Sequence, residues 1–140
     1  INGVNKWTFW VIQTVQGDPV NLPHPIHLHG HDFYILGSGA GVWNGDDSSL
    51  KFVNPARRDT ATLPAGGWLI VAFPADNPGA WLMHCHIAWH VGQGFSLQFL
   101  ERKDEIIGKI GDMSGFNQGC DSWRKYWEGP HPYEKDDSGL

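Results

Sequence analysis

Bulky apolar and polar residues alternate along several short stretches of the chain. In the first stretch, residues 4–15, the side chains of Trp7, Phe9 and Val11 fall on one face of an extended backbone, because successive side chains of a strand point to opposite faces. Further stretches of this kind are bounded by Gly and Pro turns. The pattern predicts strands over residues 4–15, 26–36 (with a break at Gly30), 59–63, 68–73, 80–86 and 95–100.

Helical patterns are few and short. Residues 87–90 could form one helical turn, which the glycines that follow would end. Residues 121–128 predict a short helix with Asp121 or Ser122 as its amino-terminal cap. Many short strands joined by Gly and Pro turns favour an all-β fold, a Greek-key β-barrel or sandwich, followed by a short helical tail.

Composition and net charge are typical of a single packed domain that does not bind nucleic acid. The 140 residues are one domain's worth, and 41% hydrophobic with 18% charged residues permits a packed core. The net charge of −5 argues against a nucleic-acid partner, and no apolar run is long enough to predict a membrane span. The chain opens on Ile1 and enters a strand at once, with no signal peptide. We therefore expect it to be the later part of a longer polypeptide, whose other part is a separate chain.

The histidines are concentrated in two short windows. Seven of the eight lie in HPIHLHGH (24–31) and HCHIAWH (84–90), and His131 stands apart. If both windows are strands, His27 and His29 share one face, and so do His84 and His86. Cys85 then points the other way, so it can bind a metal on one side while its two neighbours bind metals on the other.

The Cys85 side predicts an electron-transfer copper site. His90 follows Cys85 by five residues, and His24 can face away from the His27 and His29 pair. Two imidazoles and one thiolate are the trigonal set typical of copper in such sites. The axial position would fall on Phe95, which cannot coordinate, and a missing axial ligand should raise the reduction potential.

The opposite side carries four imidazoles. These are too few for three coppers but suffice for half of such a cluster. Electrons would pass from the Cys85 sulfur through the backbone to His84 or His86. The four predicted ligands are His27, His29, His84 and His86.

The same pattern of Cys and His residues also permits other functions, which are zinc binding, Cys-His catalysis, a disulfide bridge and core packing. Zinc also accepts Cys and His ligands, but a strand cannot turn Cys85 and both its neighbours toward one tetrahedral ion. A Cys-His catalytic pair would leave most of the clustered histidines unexplained. A bridge from Cys85 to Cys120 would remove the metal-binding sulfur. His31 and His131 are interpreted as hydrogen-bonded core residues.

Asp59 has two possible roles. It follows two arginines, Arg57 and Arg58, and a proton relay is conceivable. A salt bridge between strands is the favoured interpretation, because charged groups on strands usually pair or face solvent.

Together the motifs resemble a known family. HPIHLHGHDF followed by HCHIAWHVGQGF is similar to the last domain of multicopper oxidases, specifically fungal laccases of ascomycete type. The intervening RRDTATLPAGGWLIVAFPADNPGAWLMHCH extends the resemblance over most of residues 1–102. It implies a cupredoxin-like domain over 1–102 and a carboxy-terminal extension over 103–140. The ending at 137–140 resembles the processed laccase tail, in which Leu140 would plug the channel to the cluster.

The resemblance assigns a role to each ligand. His24, Cys85 and His90 would bind the type 1 copper, with Phe95 at its axial position where many ascomycete laccases have Leu. His27 would bind the type 2 copper. The binuclear type 3 pair, completing four coppers per enzyme, would be held by His29, His84 and His86.

The implied reaction is the one-electron oxidation of phenols or aromatic amines, such as those from lignin, coupled to reduction of dioxygen to water. Electrons would enter at His90, with Trp89 and Leu22 lining the substrate pocket or simply packing. Cys120 resembles the tail cysteine that bridges to the first domain, which implies a secreted, extracellular enzyme. The alternatives are a bilirubin or metal-ion oxidase and a stand-alone electron-transfer cupredoxin.

Overall fold

Two four-stranded antiparallel sheets make up most of the structure. The structure is a computed structural model, and it describes residues 1–15, 17 and 21–130. Three helices and a short 3-10 turn at Asp47–Ser49 accompany the strands within these ranges. The strands are β1 Trp7–Gln13, β2 His24–Leu28, β3 Phe33–Ala40, β4 Ala56–Arg58, β5 Thr60–Leu63, β6 Gly67–Pro74, β7 Gly79–Cys85 and β8 Ser96–Glu101. The helices are α1 Ala88–Gly92, α2 Lys103–Ile110 and α3 Ser114–Glu128.

The chain passes repeatedly between the two sheets. One sheet has the order β1-β6-β3-β4 and the other β5-β2-β7-β8. Apolar side chains from both sheets meet in one core, in which Leu28, Phe33, Leu63 and Phe73 are at most 1% exposed. The all-β prediction is thus confirmed, and its physical cause is the period-two alternation that gives strands such as β2 an apolar face toward the core.

The predicted strand over residues 26–36 is two strands in different sheets. The break is at Gly30, whose φ of 75° is a left-handed conformation that favours glycine. β2 ends before this turn and pairs with β5 and β7, whereas β3 begins after it and pairs with β4 and β6. Hydrophobic alternation does not depend on which strand is the neighbour, so the pattern alone could not reveal the change of sheet.

The carboxy-terminal part is more helical than the sequence pattern predicts. α3 begins at Ser114 rather than at residue 121, and α2 was not predicted. Both helices bury none of their residues within the described chain. An apolar stripe that packs into the core is the usual sign of a helix, and neither helix contributes one to the described core. None of the described helices combines the length and the apolar character needed to cross a bilayer.

Candidate metal centres

The pairing of β2 with β7 brings the two histidine windows together. The strands run antiparallel in a register that sets Ile26 opposite Cys85 and His27 opposite His84. Side chains opposite each other in a ladder lie on the same face. Cys85 therefore shares a face with Ile26 and with His24 two residues earlier, while His27 and His84 share the other.

The first cluster joins Cys85 to two imidazoles. The Cys85 Sγ lies 3.4 Å from His90 Nδ1 and 3.7 Å from His24 Nδ1, and these two nitrogens are 3.2 Å apart. Cys85 is fully buried and His24 is 8% exposed. We call His24, Cys85 and His90 the thiolate group.

The distances within the thiolate group fit one bound metal ion. A metal about 2.0 Å from each nitrogen and about 2.3 Å from the sulfur, at near-tetrahedral angles, sets nitrogen atoms roughly 3.3 Å apart and sulfur and nitrogen roughly 3.5 Å apart. The observed separations of 3.2, 3.4 and 3.7 Å agree with these values. Two imidazoles and one thiolate are also the donor set that copper favours in electron-transfer sites.

Local structure explains how a five-residue spacing closes the thiolate group. β7 ends at Cys85, and α1 then makes a single turn in which the His90 N–H donates to the Ile87 carbonyl. The Phe95 N–H donates to the His90 carbonyl, and the Cys85 N–H donates to the Phe95 carbonyl. These bonds fold the segment back on itself, so that His90 returns to the sulfur.

Burial controls the chemistry of the Cys85 sulfur. Desolvation raises the pKa of the thiol, and a backbone hydrogen bond from Ile87 lowers it to a smaller extent. The buried thiolate is disfavoured by itself, so a positive ion between sulfur and imidazoles would have to stabilise it.

Phe95 lies beside the thiolate group without offering a donor atom. Its ring centroid is 5.0 Å from that of His24 and 6.5 Å from that of His90. The ring presents only carbon atoms to one side of the group.

The second cluster lies on the other face of β2 and β7. His29 Nε2 and His84 Nε2 are 3.0 Å apart, and the ring of His27 lies 4.9 Å from that of His29 and 5.5 Å from that of His84. Donor atoms of these three side chains lie within 4.8 Å of one another. We call His27, His29 and His84 the imidazole group.

Backbone carbonyls orient two of these rings. His27 Nδ1 donates to the Asp59 carbonyl at 2.9 Å and lies 3.1 Å from the Thr60 hydroxyl. His84 Nδ1 donates to the carbonyl of Cys85 at 2.9 Å. A proton held on Nδ1 leaves the Nε2 lone pair free to bind a metal, so both rings carry their donor atom toward the group.

His86 stands at the edge of the imidazole group. Its ring stacks on His84 with centroids 5.8 Å apart and lies 5.8 Å from the ring of His27, outside the tight set of donors.

Burial, together with the neighbouring His27, His84 and His86, lowers the pKa of His29. The lowered pKa favours the neutral imidazole, which is the form that binds metals.

Other residues singled out from the sequence lie in different settings. Trp89 and Leu22 are 62% and 49% exposed, and the Trp89 ring lies edge-on to His90 at 5.8 Å. His31 is buried, as expected. The predicted tail plug at Leu140 and the predicted core residue His131 lie outside the described residues.

Neither Arg57 nor Arg58 pairs with Asp59 within the part of the chain that the structure describes. Arg57 instead approaches Asp32 at 3.6 Å, because β4 pairs with β3 and carries Arg57 toward the start of that strand. Asp59 lies where the chain crosses to β5, and its carboxylate is 4.0 Å from His27 Nδ1. A cavity of about 490 Å³ opens here, lined by His27, His29, Asp32, Arg57, Asp59 and Asp76 among others.

Sequence reasoning missed the partners of the histidines. Thr60 contacts His27 only because β5 pairs with β2, and no local sequence pattern predicts that pairing. Glu101 contacts His31 at 2.8 Å in the core. One signal could have identified it: Glu101 shares the inward face of β8 with Phe99, and a carboxylate at such a position needs a buried partner.

Comparison with known proteins gives a consistent result. A family model described as multicopper oxidase matches residues 2–105. A laccase of Neurospora crassa is 50% identical, aligned over 100% of this chain and 25% of its own length. Laccase-1 of Melanocarpus albomyces is 48% identical over 100% of this chain and 24% of its own length.

A solved structure shares the fold closely. The crystal structure of the laccase from Botrytis aclada superposes with a TM-score of 0.84 and 44% identity, covering 96% of this chain and 25% of that one. The chain thus spans about a quarter of the length of the relatives it matches.

Proposed function

The chain belongs to the multicopper oxidase family, and we propose that it forms the type 1 copper site and half of the trinuclear copper cluster of a laccase. One observation carries the proposal: donor groups suited to two different metal centres lie on opposite sides of a single residue, Cys85. The near-50% identity to named laccases over the whole chain supports this member of the family over bilirubin or metal-ion oxidases.

Each group would hold copper through the atoms described above. His24, Cys85 and His90 would bind the type 1 copper. His27 would serve the type 2 copper, and His29, His84 and His86 the type 3 pair. When bound, copper supplies the one-electron chemistry of the reaction.

The role of Cys85 is to connect the two groups covalently. Its sulfur belongs to the thiolate group, its backbone continues into His84 and His86, and its carbonyl accepts the hydrogen bond from His84 Nδ1. The path between the groups therefore consists of a few bonds inside the core, with no gap to be crossed through solvent. A stand-alone electron carrier would have no use for the imidazole group.

Substrate would meet the chain at the exposed side of His90. Trp89 lies against the His90 ring and is itself exposed, as is Leu22 two residues before His24. Apolar and aromatic surface of this kind suits a phenol or aromatic amine. The reaction removes one electron from each of four substrate molecules and delivers four electrons and four protons to dioxygen, giving two waters.

The remaining laccase polypeptide would complete both sites. It would supply the other histidines of the trinuclear cluster and the rest of the substrate pocket, since this chain spans only about a quarter of its relatives. Cys120, a free thiol within the described residues, would bridge to it in the oxidising environment of a secreted enzyme. A Cys120-containing disulfide-linked peptide in a non-reduced digest is the expected finding.

Cys85→Ser in the full-length protein tests the proposal. Removing the thiolate should abolish the blue visible absorption band and the narrow copper hyperfine pattern in electron spin resonance, and oxygen consumption with a phenol should fall to background. Copper bound by the imidazole group should remain, because none of its donor atoms belongs to the Cys85 side chain.

Cys120→Ser is the matched control, because it removes the other sulfur of the chain. It should keep the blue band. A C85S protein that stays blue and active, or a wild-type protein that at full metal loading holds zinc in place of copper, would defeat the assignment.

A further inference from the structure

A third set of buried polar groups lies between the end of β8 and the turn at Gly30, which joins β2 to β3. Glu101 is 0% exposed and the side chain of His31 is 2% exposed. Aromatic rings surround the pair, with Phe73 at 4.9 Å and Trp81 at 5.8 Å from the ring of His31. A carboxylate in such surroundings is costly unless its oxygens are partnered.

Each oxygen of Glu101 has one contact. Oε1 accepts a hydrogen bond from the Asn77 backbone N–H at 2.7 Å, and Oε2 lies 2.8 Å from His31 Nε2. Glu101 Oε2 and His31 Nε2 lie within ion-pair distance of each other, and neither atom makes a directed hydrogen bond within the described residues. Removing either side chain would therefore leave the facing atom of the other, Glu101 Oε2 or His31 Nε2, buried without a polar contact.

Both contacts of Glu101 lead to the turn at Gly30. His31 Nδ1 lies 3.3 Å from the His29 carbonyl oxygen, and Asn77 Nδ2 donates to the Gly30 carbonyl at 2.9 Å. Trp81 Nε1 in turn donates to the Asn77 carbonyl at 2.8 Å. Two successive carbonyls of the turn are thus held, and both routes return to one carboxylate.

The turn is the part of the chain that carries His29 out of β2. On its amino side, the His29 N–H donates to the Leu82 carbonyl of β7. On its carboxyl side no strand pairing fixes the residue, because β2 ends at Leu28 and β3 begins at Phe33. The contacts from His31 and Asn77 take the place of that pairing.

We propose that Glu101, acting through His31 and Asn77, is a positioning residue that holds the His29 imidazole against His84 in the trinuclear half-site. The inference rests on the proposed laccase function. It adds Glu101, seven positions after the last glycine of the second histidine motif, Gly94, as a residue that supports the cluster but binds no metal. The contacts described for this network do not involve the side chains of His24, Cys85 or His90, so its loss should affect one copper centre selectively.

The test compares variants of the full-length enzyme loaded with copper. In E101L, chelator competition should show copper binding at the type 2 and type 3 positions weakened by roughly 10- to 100-fold, the range found when groups supporting metal ligands are removed. The near-ultraviolet absorption of the coupled type 3 pair should fall in parallel. The blue band should keep its wild-type intensity.

Two further variants separate positioning from folding. E101Q keeps an oxygen for the Asn77 N–H and an amide that can face the other tautomer of His31, so it should restore most of the cluster copper. N77A removes only the bond to the Gly30 carbonyl from a partly exposed side chain, and it should weaken the cluster severalfold even if E101L fails to fold. Glu105→Leu, on the exposed face of α2, is the matched control and should leave both centres unchanged.

Equal weakening of both copper centres in E101L and N77A would mean that the network supports only the fold, and the proposal would be overturned. Wild-type cluster binding in both variants would overturn it as well. Absence of the blue band in the wild-type enzyme is a different result, since it would refute the laccase assignment itself.

Discussion

Cys85 offers a sulfur donor on one face of β7, and its neighbours in the chain offer imidazole donors on the other face. Its side chain lies in the apolar core among Ile26, Leu63 and Met83, while its flanking histidines face the other side of β7. Only a strand gives neighbouring residues opposite faces, so the same three residues in a helix could not serve two centres. The sequence HCH is therefore informative because it is in a strand.

Phe95 sets the polarity of the thiolate group and offers a direct test. Phe95→Met would place a thioether near the metal position, and a sulfur donor should stabilise the oxidised ion. We expect the type 1 reduction potential to fall by on the order of 60 mV, which corresponds to a tenfold shift for a one-electron couple. Redox titration of the blue band measures it.

Phe95→Leu is the matched control, because it keeps a carbon surface without a donor. Its potential should stay close to that of the wild type. A Met variant whose potential equals that of the Leu variant would show that the residue does not reach the metal.

The turn between β2 and β3 is the element on which the imidazole group depends. It passes the chain from one sheet to the other within a few residues, and Gly30 adopts a φ of 75° beneath the ring of Trp81. A Cβ on Gly30 would approach that ring to 2.5 Å. The turn therefore requires glycine for both backbone conformation and space.

Gly30→Ala should destabilise the protein by about 2–4 kcal/mol. About 1 kcal/mol comes from the left-handed backbone, and the remainder from displacing a packed indole. The denaturation midpoint in urea measures the loss, and a fall in type 3 absorption should accompany it.

Gly45→Ala is the control for the backbone effect alone. Gly45 has a φ of 87° with open space around the position of a Cβ. Its substitution should cost only about 1 kcal/mol. Equal losses in the two variants would contradict the contact with Trp81.

Two apolar surfaces remain uncovered on the described chain. One is the outer face of β1, where Trp7 and Phe9 are 62% and 67% exposed. The other is on α3, where Trp123 is 61% exposed. Patches of this kind on soluble proteins are usually interaction sites.

The 140-residue chain expressed alone should therefore bind a hydrophobic dye strongly and self-associate. The full-length enzyme should do neither, because the remaining domains would cover these faces. Dye fluorescence and sedimentation velocity at matched concentrations compare the two. A monomeric isolated chain with no dye binding would show that these surfaces need no partner.

Much of the site could be read from the sequence because it depends on local geometry. The alternation of strand side chains separates His84 and His86 from Cys85, and the five-residue spacing to His90 fits one helical turn. The clustering of these residue types in two windows points to copper through the chemistry of the donors. These inferences need no knowledge of which strands pair.

Other features follow only from tertiary structure. The contact of Thr60 with His27 requires β5 beside β2, and that of Glu101 with His31 requires the end of β8 beside the Gly30 turn. Strand pairing brings together residues that are far apart in the chain. The hydrophobic alternation of a strand is the same whichever strand pairs with it, so the alternation does not predict the pairing. The amino-acid sequence by itself therefore determined which residues can bind metal. The packing of the two sheets determined which residues, such as Thr60 and Glu101, contact those histidines.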